Sequence, residues 1–422
     1  MKVCYFVYRE DNVMVYASQV LEYLQQLKEK PSVEEIGLIV FRHEKNLFKK
    51  NRVEERALQY VDWVESFSSM PVLTTLQLRL NALRARRFVR NKYSKNESIA
   101  VLCRGELATY IAAVAFKGYE NVRILFDNRG LPVLESEMSY GNQIIYRINR
   151  KVKYWSMCYA KNNCDAYNFV TNTMREFDIN TYNYRNDIPY TIIPTLYRPM
   201  TVDPVHLSEV RKNENLKEDD FVVSYVGATQ AWQSAEELIR VIGLIGSKYS
   251  KAKFLLLTNG EFEELEQLDK DIRDRIIKKT VPHKEMPYYL AMTNVGIVIR
   301  DDNMVNRVAA PTKIAEYITN GVAILYKGHI GVIDDLKKVD PALELINIDD
   351  DKNWLEMMGT VKKKTVSKSV LDYFDMSHRQ EDTLQMIMKS MAQPMARRKH
   401  NQQENSVCHT GNRRTSAVFN VS

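Results

Sequence analysis

Short runs of β-branched and aromatic residues alternate along this chain with longer stretches whose apolar positions recur at helical spacing. In the N-terminal half the runs at 2–7, 37–41, 99–103, 122–126 and 166–170 predict buried strands. Between them, 18–28, 73–92, 107–117 and 143–159 predict helices, as the spacing of Val20, Leu21, Tyr23, Leu24 and Leu27 illustrates. Strands alternating with helices imply parallel strands joined by right-handed crossovers. The pattern pauses at Asn186 to Pro204, where Pro189, Pro194, Pro199 and Pro204 break helices and stiffen a linker. It then resumes, with strands predicted over 221–226, 253–258, 295–299 and 323–326 and helices over 235–248, 286–292 and 312–319. A long amphipathic helix is predicted over 371–391, and from Ala392 the apolar pattern fails, as in a disordered tail.

This pattern gives an α/β protein of two doubly wound, Rossmann-like domains. Its segments are 1–196, a linker 197–204, a second domain 205–370, a helix 371–392 packing back on the first domain, and a disordered tail 393–422. Two such domains facing across a cleft would hold one substrate on each wall, at the carboxyl ends of their strands.

Composition narrows the function classes. With 45% hydrophobic and 27% charged residues the chain is globular. Its five cysteines are scattered and form no CxxC pair, which argues for a reducing compartment and against a zinc site. Tyr8-Arg9-Glu10-Asp11 cuts short the opening apolar run, leaving it too short for a signal-peptide core. No stretch is long and apolar enough to span a bilayer, and the chain is expected in the cytoplasm. The net charge is +7, but six cations and no acid fall between Arg84 and Lys95. A second acid-free stretch holds Arg147, Arg150, Lys151, Lys153 and Lys161 among aromatic residues. Both segments suit solvated helix faces or docking on the anionic inner face of a membrane. Nucleic acid is not an expected partner, because no motif that reads it accompanies the charge.

The chemistry concentrates after the strand predicted at 295–299. Arg300 follows it, Pro311 sits where a helix should begin, and Gly321 stands where the helix should be capped. A helix start offers free N–H groups and partial positive charge to a pyrophosphate. Arg300 and Lys313 add full charges, and Glu316, one turn in, could accept hydrogen bonds from ribose hydroxyls. Singly these residues also make an ordinary surface cluster; in this order after a strand they favour a nucleotide site. No Asp-x-Asp loop, GxSxG, HExxH or P-loop occurs.

The residues Arg300, Asn306, Ala309, Pro311, Lys313, Glu316, Tyr317, Gly321 and Ile324 resemble the donor motif of retaining glycosyltransferases of family 4, a GT-B group. Tyr225-Val226-Gly227-Ala228-Thr229 followed by Trp232 resembles the first strand and turn of that family's donor domain. Asp127, Arg129, Gly130 and Glu135 resemble its acceptor-side stretch, and Arg104-Gly105 occupies a similar strand end. The resemblance implies GT-B architecture and transfer of a sugar from a nucleotide-sugar donor to a glycan or lipid-linked glycan, with retention, in cell-surface polysaccharide synthesis. It implies no cofactor and no metal. Catalysis would fall to Arg300, Lys313 and Asp127. Gly227, Ala228, Thr229, Asn306, Pro311, Thr312 and Glu316 would bind the donor, and Arg104, Arg129 and Glu135 would face the acceptor. The chain departs from the family at Val308, where many members carry a first glutamate eight positions before the second. It also lacks the Arg and Lys usual after the donor turn and the Gly-Gly loop usual after the first strand. A non-catalytic subunit of the same fold, or a nucleotide-sugar epimerase, are the alternatives.

Overall fold

The computed structural model describes residues 1–10, 13–43, 57–69, 74–140, 144–197, 199–227, 235–362 and 365–392. The chain divides into two compact units. The first is Met1–Phe169, Arg175–Ile192 and Gln380–Ser422; the second is Val170–Met174 and Ile193–Arg379.

The first unit is built on a parallel sheet of seven strands: β1 (Lys2–Tyr8), β2 (Glu35–His43), β3 (Trp63–Ser69), β4 (Ile99–Arg104), β5 (Val122–Asn128), β6 (Ala166–Phe169) and β7 (Tyr190–Ile192), ordered β3-β2-β1-β4-β5-β6-β7. The second carries six: β8 (Phe221–Val226), β9 (Ala252–Leu257), β10 (Ile276–Lys279), β11 (Val295–Ile299), β12 (Ala323–Lys327) and β13 (Leu345–Asn347), ordered β10-β9-β8-β11-β12-β13. Each order reverses direction once, between β1 and β4 and between β8 and β11. Such a switch point leaves a crevice at the strands' carboxyl ends.

Successive residues of these strands face opposite sides, and both sides are covered. Val222, Leu255, Leu257 and Val298 enter one core of the second unit, while Val223, Phe254, Leu256 and Ile297 enter the other. This explains why the central strands read as continuous apolar runs. β3, β7, β10 and β13, which the apolar pattern does not single out, are short or polar and lie at a sheet edge. With fewer covered faces they need fewer apolar residues. β7 forms within the proline-rich stretch 186–204, and the helix Pro204–Asn213, capped by the Asp203 carboxylate, begins at that stretch's last residue.

The long helix expected at 371–391 is two helices, Lys368–Phe374 and Met376–Ala392, because Asp375 takes an extended conformation. Its carboxylate accepts from the His378 N–H at 2.8 Å and so starts the second helix. That helix joins the first unit from Gln380 on, where Gln380 Nε2 donates to Tyr23 O at 2.5 Å and Arg123 Nε to Ser390 O at 2.9 Å. No described helix is long and apolar enough to cross a membrane.

One packing contact seats the helix Thr312–Thr319 on its sheet. The Tyr317 ring lies directly on Gly296 of β11, where a Cβ would come within 2.5 Å of ring carbons, and its hydroxyl donates to Ser224 O of β8 at 3.1 Å. A Gly296→Val substitution is therefore expected to lower stability by about 2–3 kcal/mol. An unchanged midpoint of denaturant unfolding would show that the ring can move aside.

Candidate functional site

The second unit brings its candidate residues together beside the switch point. β8 is followed by Gly227, whose φ of +136° suits only glycine, and β11 by Arg300. Arg300 Nη1 donates to Asn306 Oδ1 at 2.6 Å, while Asn306 Nδ2 donates to Asp301 O at 2.9 Å. Asn306 is fully buried, and both ends of its amide are engaged in fixing the loop and the guanidinium. The sequence expectation that Asn306 contacts the donor therefore changes: the side chain positions Arg300 instead.

Pro311 occupies the N-cap of the helix Thr312–Thr319, one residue before the expected place, with φ −63° and ψ 135°. The helix ends at Asn320. Gly321, at φ +69°, returns its N–H to Ile318 O, and Val322 returns its own to Tyr317 O. Within the first turn Thr312 is exposed and Lys313 is 7% exposed. Among the described residues the Lys313 ammonium has no hydrogen-bond partner, and it stands 4.4 Å from the centroid of the Tyr225 ring. Arg300 Nε, also buried, has no partner among them either.

These charges perturb one another. Burial, reinforced by repulsion from Arg300, pulls Lys313 down to about 7, against the opposing pull of Glu316. Burial pushes Glu316 up to about 7, resisted by Lys313. Arg300 is lowered to about 10 by burial. Two cations share a partly desolvated site, and Asn306 Oδ1 is a neutral acceptor. Such an arrangement has the electrostatics of an anion-binding site.

Tyr225, which lies in the first-strand stretch but carries no expected contact, and Gly328, which lies in no motif, also belong to this site. Gly328, at φ +85°, lets the loop after β12 lie on Arg300, where a Cβ would approach Arg300 O to 2.6 Å. Val308 is buried, and its carbonyl accepts from Thr171 Oγ1 at 2.8 Å. The position of the family's first glutamate thus carries a core side chain. Arg307 is paired with Asp302 through two contacts of 2.6 Å at the surface. Ala228, Thr229 and Trp232 lie outside the described residues.

In the first unit, Arg104 at the end of β4 and Asp127 in β5 are register partners. The Asp127 carboxylate is buried and accepts from Arg129 Nε at 2.8 Å and from Asn168 Nδ2 at 2.8 Å; Arg104 Nη1 lies 3.9 Å away. Arg104 Nε donates to Glu10 Oε2 at 3.1 Å. The sequence places Asp127 among the catalytic residues; in the structure its carboxylate is enclosed by donors from Arg129 and Asn168. Glu135 likewise turns inward. Its Oε1 accepts from the Leu131 N–H at 2.9 Å, capping the helix Pro132–Tyr140 over Gly130, and burial raises its pKa. Of the acceptor-side candidates, Arg104 and Arg129 remain at the strand ends with their guanidinium groups partly accessible.

No protein-family model matches the chain, and no curated protein matches it in sequence. Solved structures do match. HepE from Anabaena in complex with UDP superposes with a TM-score of 0.62 at 12% identity, covering 91% of this chain and 100% of HepE. A trehalose-6-phosphate protein from E. coli bound with UDP-2-fluoro glucose gives 0.57 at 13% identity, over 92% of this chain and 99% of that one. WaaG, a glycosyltransferase involved in lipopolysaccharide biosynthesis, gives 0.54 at 9% identity, over 94% and 100%. At these identities the likeness shows the fold alone, and with the two parallel α/β sheets it gives this chain the GT-B fold of two Rossmann-like domains.

Proposed function

We propose that the protein transfers a sugar from a nucleoside-diphosphate donor to a glycan or lipid-linked glycan, with retention and without a metal, in cell-surface polysaccharide synthesis. One observation carries this reading: the buried Lys313 ammonium, without a hydrogen-bond partner among the described residues, beside Arg300 at a helix start next to the switch point. GT-B neighbours that bind UDP and a UDP-sugar, and one that acts in lipopolysaccharide synthesis, support it.

In the proposed reaction the donor diphosphate lies against Gly227, Pro311 and Thr312, between Arg300 and Lys313. Glu316 accepts from the ribose hydroxyls. The bond from the anomeric carbon to the diphosphate oxygen breaks, and the acceptor hydroxyl forms the new bond on the same face of the sugar. Its proton passes to the departing diphosphate, whose growing charge Arg300 and Lys313 stabilise. Asn306 holds Arg300 in place, and Arg104 and Arg129 face the acceptor.

The first test is release of free nucleoside diphosphate from a panel of nucleotide sugars, with and without extracted lipid-linked glycans. Acceptor-dependent release from one donor supports the reading; no release and no thermal protection by any donor refutes it.

Lys313→Met should separate function from stability. Turnover is expected to fall about a hundredfold. The unliganded protein should gain roughly 1–4 kcal/mol near neutral pH, because a buried ammonium is replaced by an apolar chain. Unfolded lysine binds its proton more tightly than Lys313 does, so this gain is largest at and below pH about 7 and shrinks as pH rises toward the ordinary lysine range. Loss of both activity and stability would instead make Lys313 a structural residue.

Donor affinity should also depend on pH. A nucleotide sugar's diphosphate stays fully ionised near neutrality, so the protein's groups set the dependence. Binding uses the charged Lys313 and the ionised Glu316, both placed at about 7, so affinity should peak near pH 7, falling above it as Lys313 loses its proton and below it as Glu316 gains one. Calorimetric titration across this range should show both limbs in wild type, loss of the acid limb in Glu316→Gln and loss of the alkaline limb in Lys313→Met.

A further inference from the structure

We infer that the outer face of the helix Thr75–Lys92, continued by the helix Ile144–Asn163, is a membrane-docking surface that inserts aliphatic side chains into an anionic bilayer. The first of these helices carries two apolar stripes where packing on a sheet needs one. Leu78, Ala82, Ala85 and Val89 form the inner stripe and are fully buried. On the opposite side Leu76, Leu80 and Leu83 are 67%, 49% and 57% exposed. Their spacing sets them in one line along the helix. Arg79, Arg84, Arg87 and Arg90 are exposed around that line, and no acid occurs between Glu65 and Glu97. The second helix repeats the arrangement: Ile144 and Ile148 are exposed beside exposed Arg147 and Lys151, with no acid between Glu137 and Asp165. Both helices pack against the helix Glu106–Ala115, and Tyr110 of that helix packs against Trp155 and Tyr159, so the two faces belong to one helical layer of the first unit.

A bilayer containing anionic lipid satisfies both halves of this surface. The leucines enter the acyl boundary while the arginines meet headgroups at its rim. A second copy of the chain would bring the same uncompensated positive charge to the contact. A nucleic-acid strand would pair with the arginines but leave the leucines in water. The inference stands apart from the sugar-transfer reading, since it uses none of the residues assigned to that reaction.

The test uses the full chain and vesicles of phosphatidylcholine alone or mixed equally with phosphatidylglycerol. Wild type should co-sediment with the mixed vesicles at low salt. A Leu76→Ser, Leu80→Ser, Leu83→Ser variant should bind on the order of a hundredfold more weakly. Its far-ultraviolet circular dichroism and unfolding midpoint should match wild type, because the three side chains are exposed. Leu80→Trp should give a blue-shifted emission on mixed vesicles that brominated lipid quenches. Equal binding by the serine variant, or emission from the Leu80→Trp protein that vesicles leave unchanged, would overturn the proposal. So would leucine-dependent dimerisation without vesicle binding, or tight binding to a single-stranded oligonucleotide that the serine variant retains while neither protein binds vesicles.

Discussion

Lys313 is held by the fold in a place that a solvated ammonium would avoid. The helix Thr312–Thr319 must present the Tyr317 ring to Gly296 of the sheet, and that contact fixes the helix's rotation. Once the rotation is fixed, Lys313, four residues earlier on the same face, points inward over Tyr225 toward Arg300. The unfavourable placement of the cation thus follows from favourable packing one turn away. Residues that lower the stability of the empty protein while completing a bound state are expected at binding sites. The neighbouring loop is built to match, with Asn306 buried beneath Arg300 and Gly328 clearing space beside its backbone.

The same economy governs the first unit's strand ends, with the opposite result. There Asp127 is surrounded by Arg129, Asn168 and, farther off, Arg104, so the buried charges have partners. A paired cluster of this kind holds geometry; two neighbouring cations that no described carboxylate hydrogen-bonds attract a ligand. Both occur at the carboxyl ends of parallel strands beside a switch point, and only the pairing of each charge tells them apart.

The central strands and amphipathic helices were legible in the sequence because burial on both faces, or on one stripe, demands an apolar pattern that leaves little choice. The edge strands were not: β3 and β10, with a neighbour on one side only, tolerate Glu65, Lys278 and Lys279. The break at Asp375 was hidden because residues on both sides keep helical spacing, and only the side-chain bond to His378 N–H marks a new start.

For the candidate site, the sequence by itself determined which charged residues follow β11 and open the helix Thr312–Thr319, although not the short helix Met304–Arg307 between them. It also determined that the chain alternates strand and helix twice, and hence its fold class. Only the tertiary structure decided what each charge meets. Asn306 and Glu135 read as ligand contacts in the sequence, yet they bond inward to Arg300 and Leu131. Tyr225, which bears no charge, proves to be the surface on which Lys313 rests. Spacing along the chain fixes which side chains share an element's face. Whether a given face meets another side chain, a backbone group or an open site depends on elements far away in sequence, and that is settled only when the core closes around them.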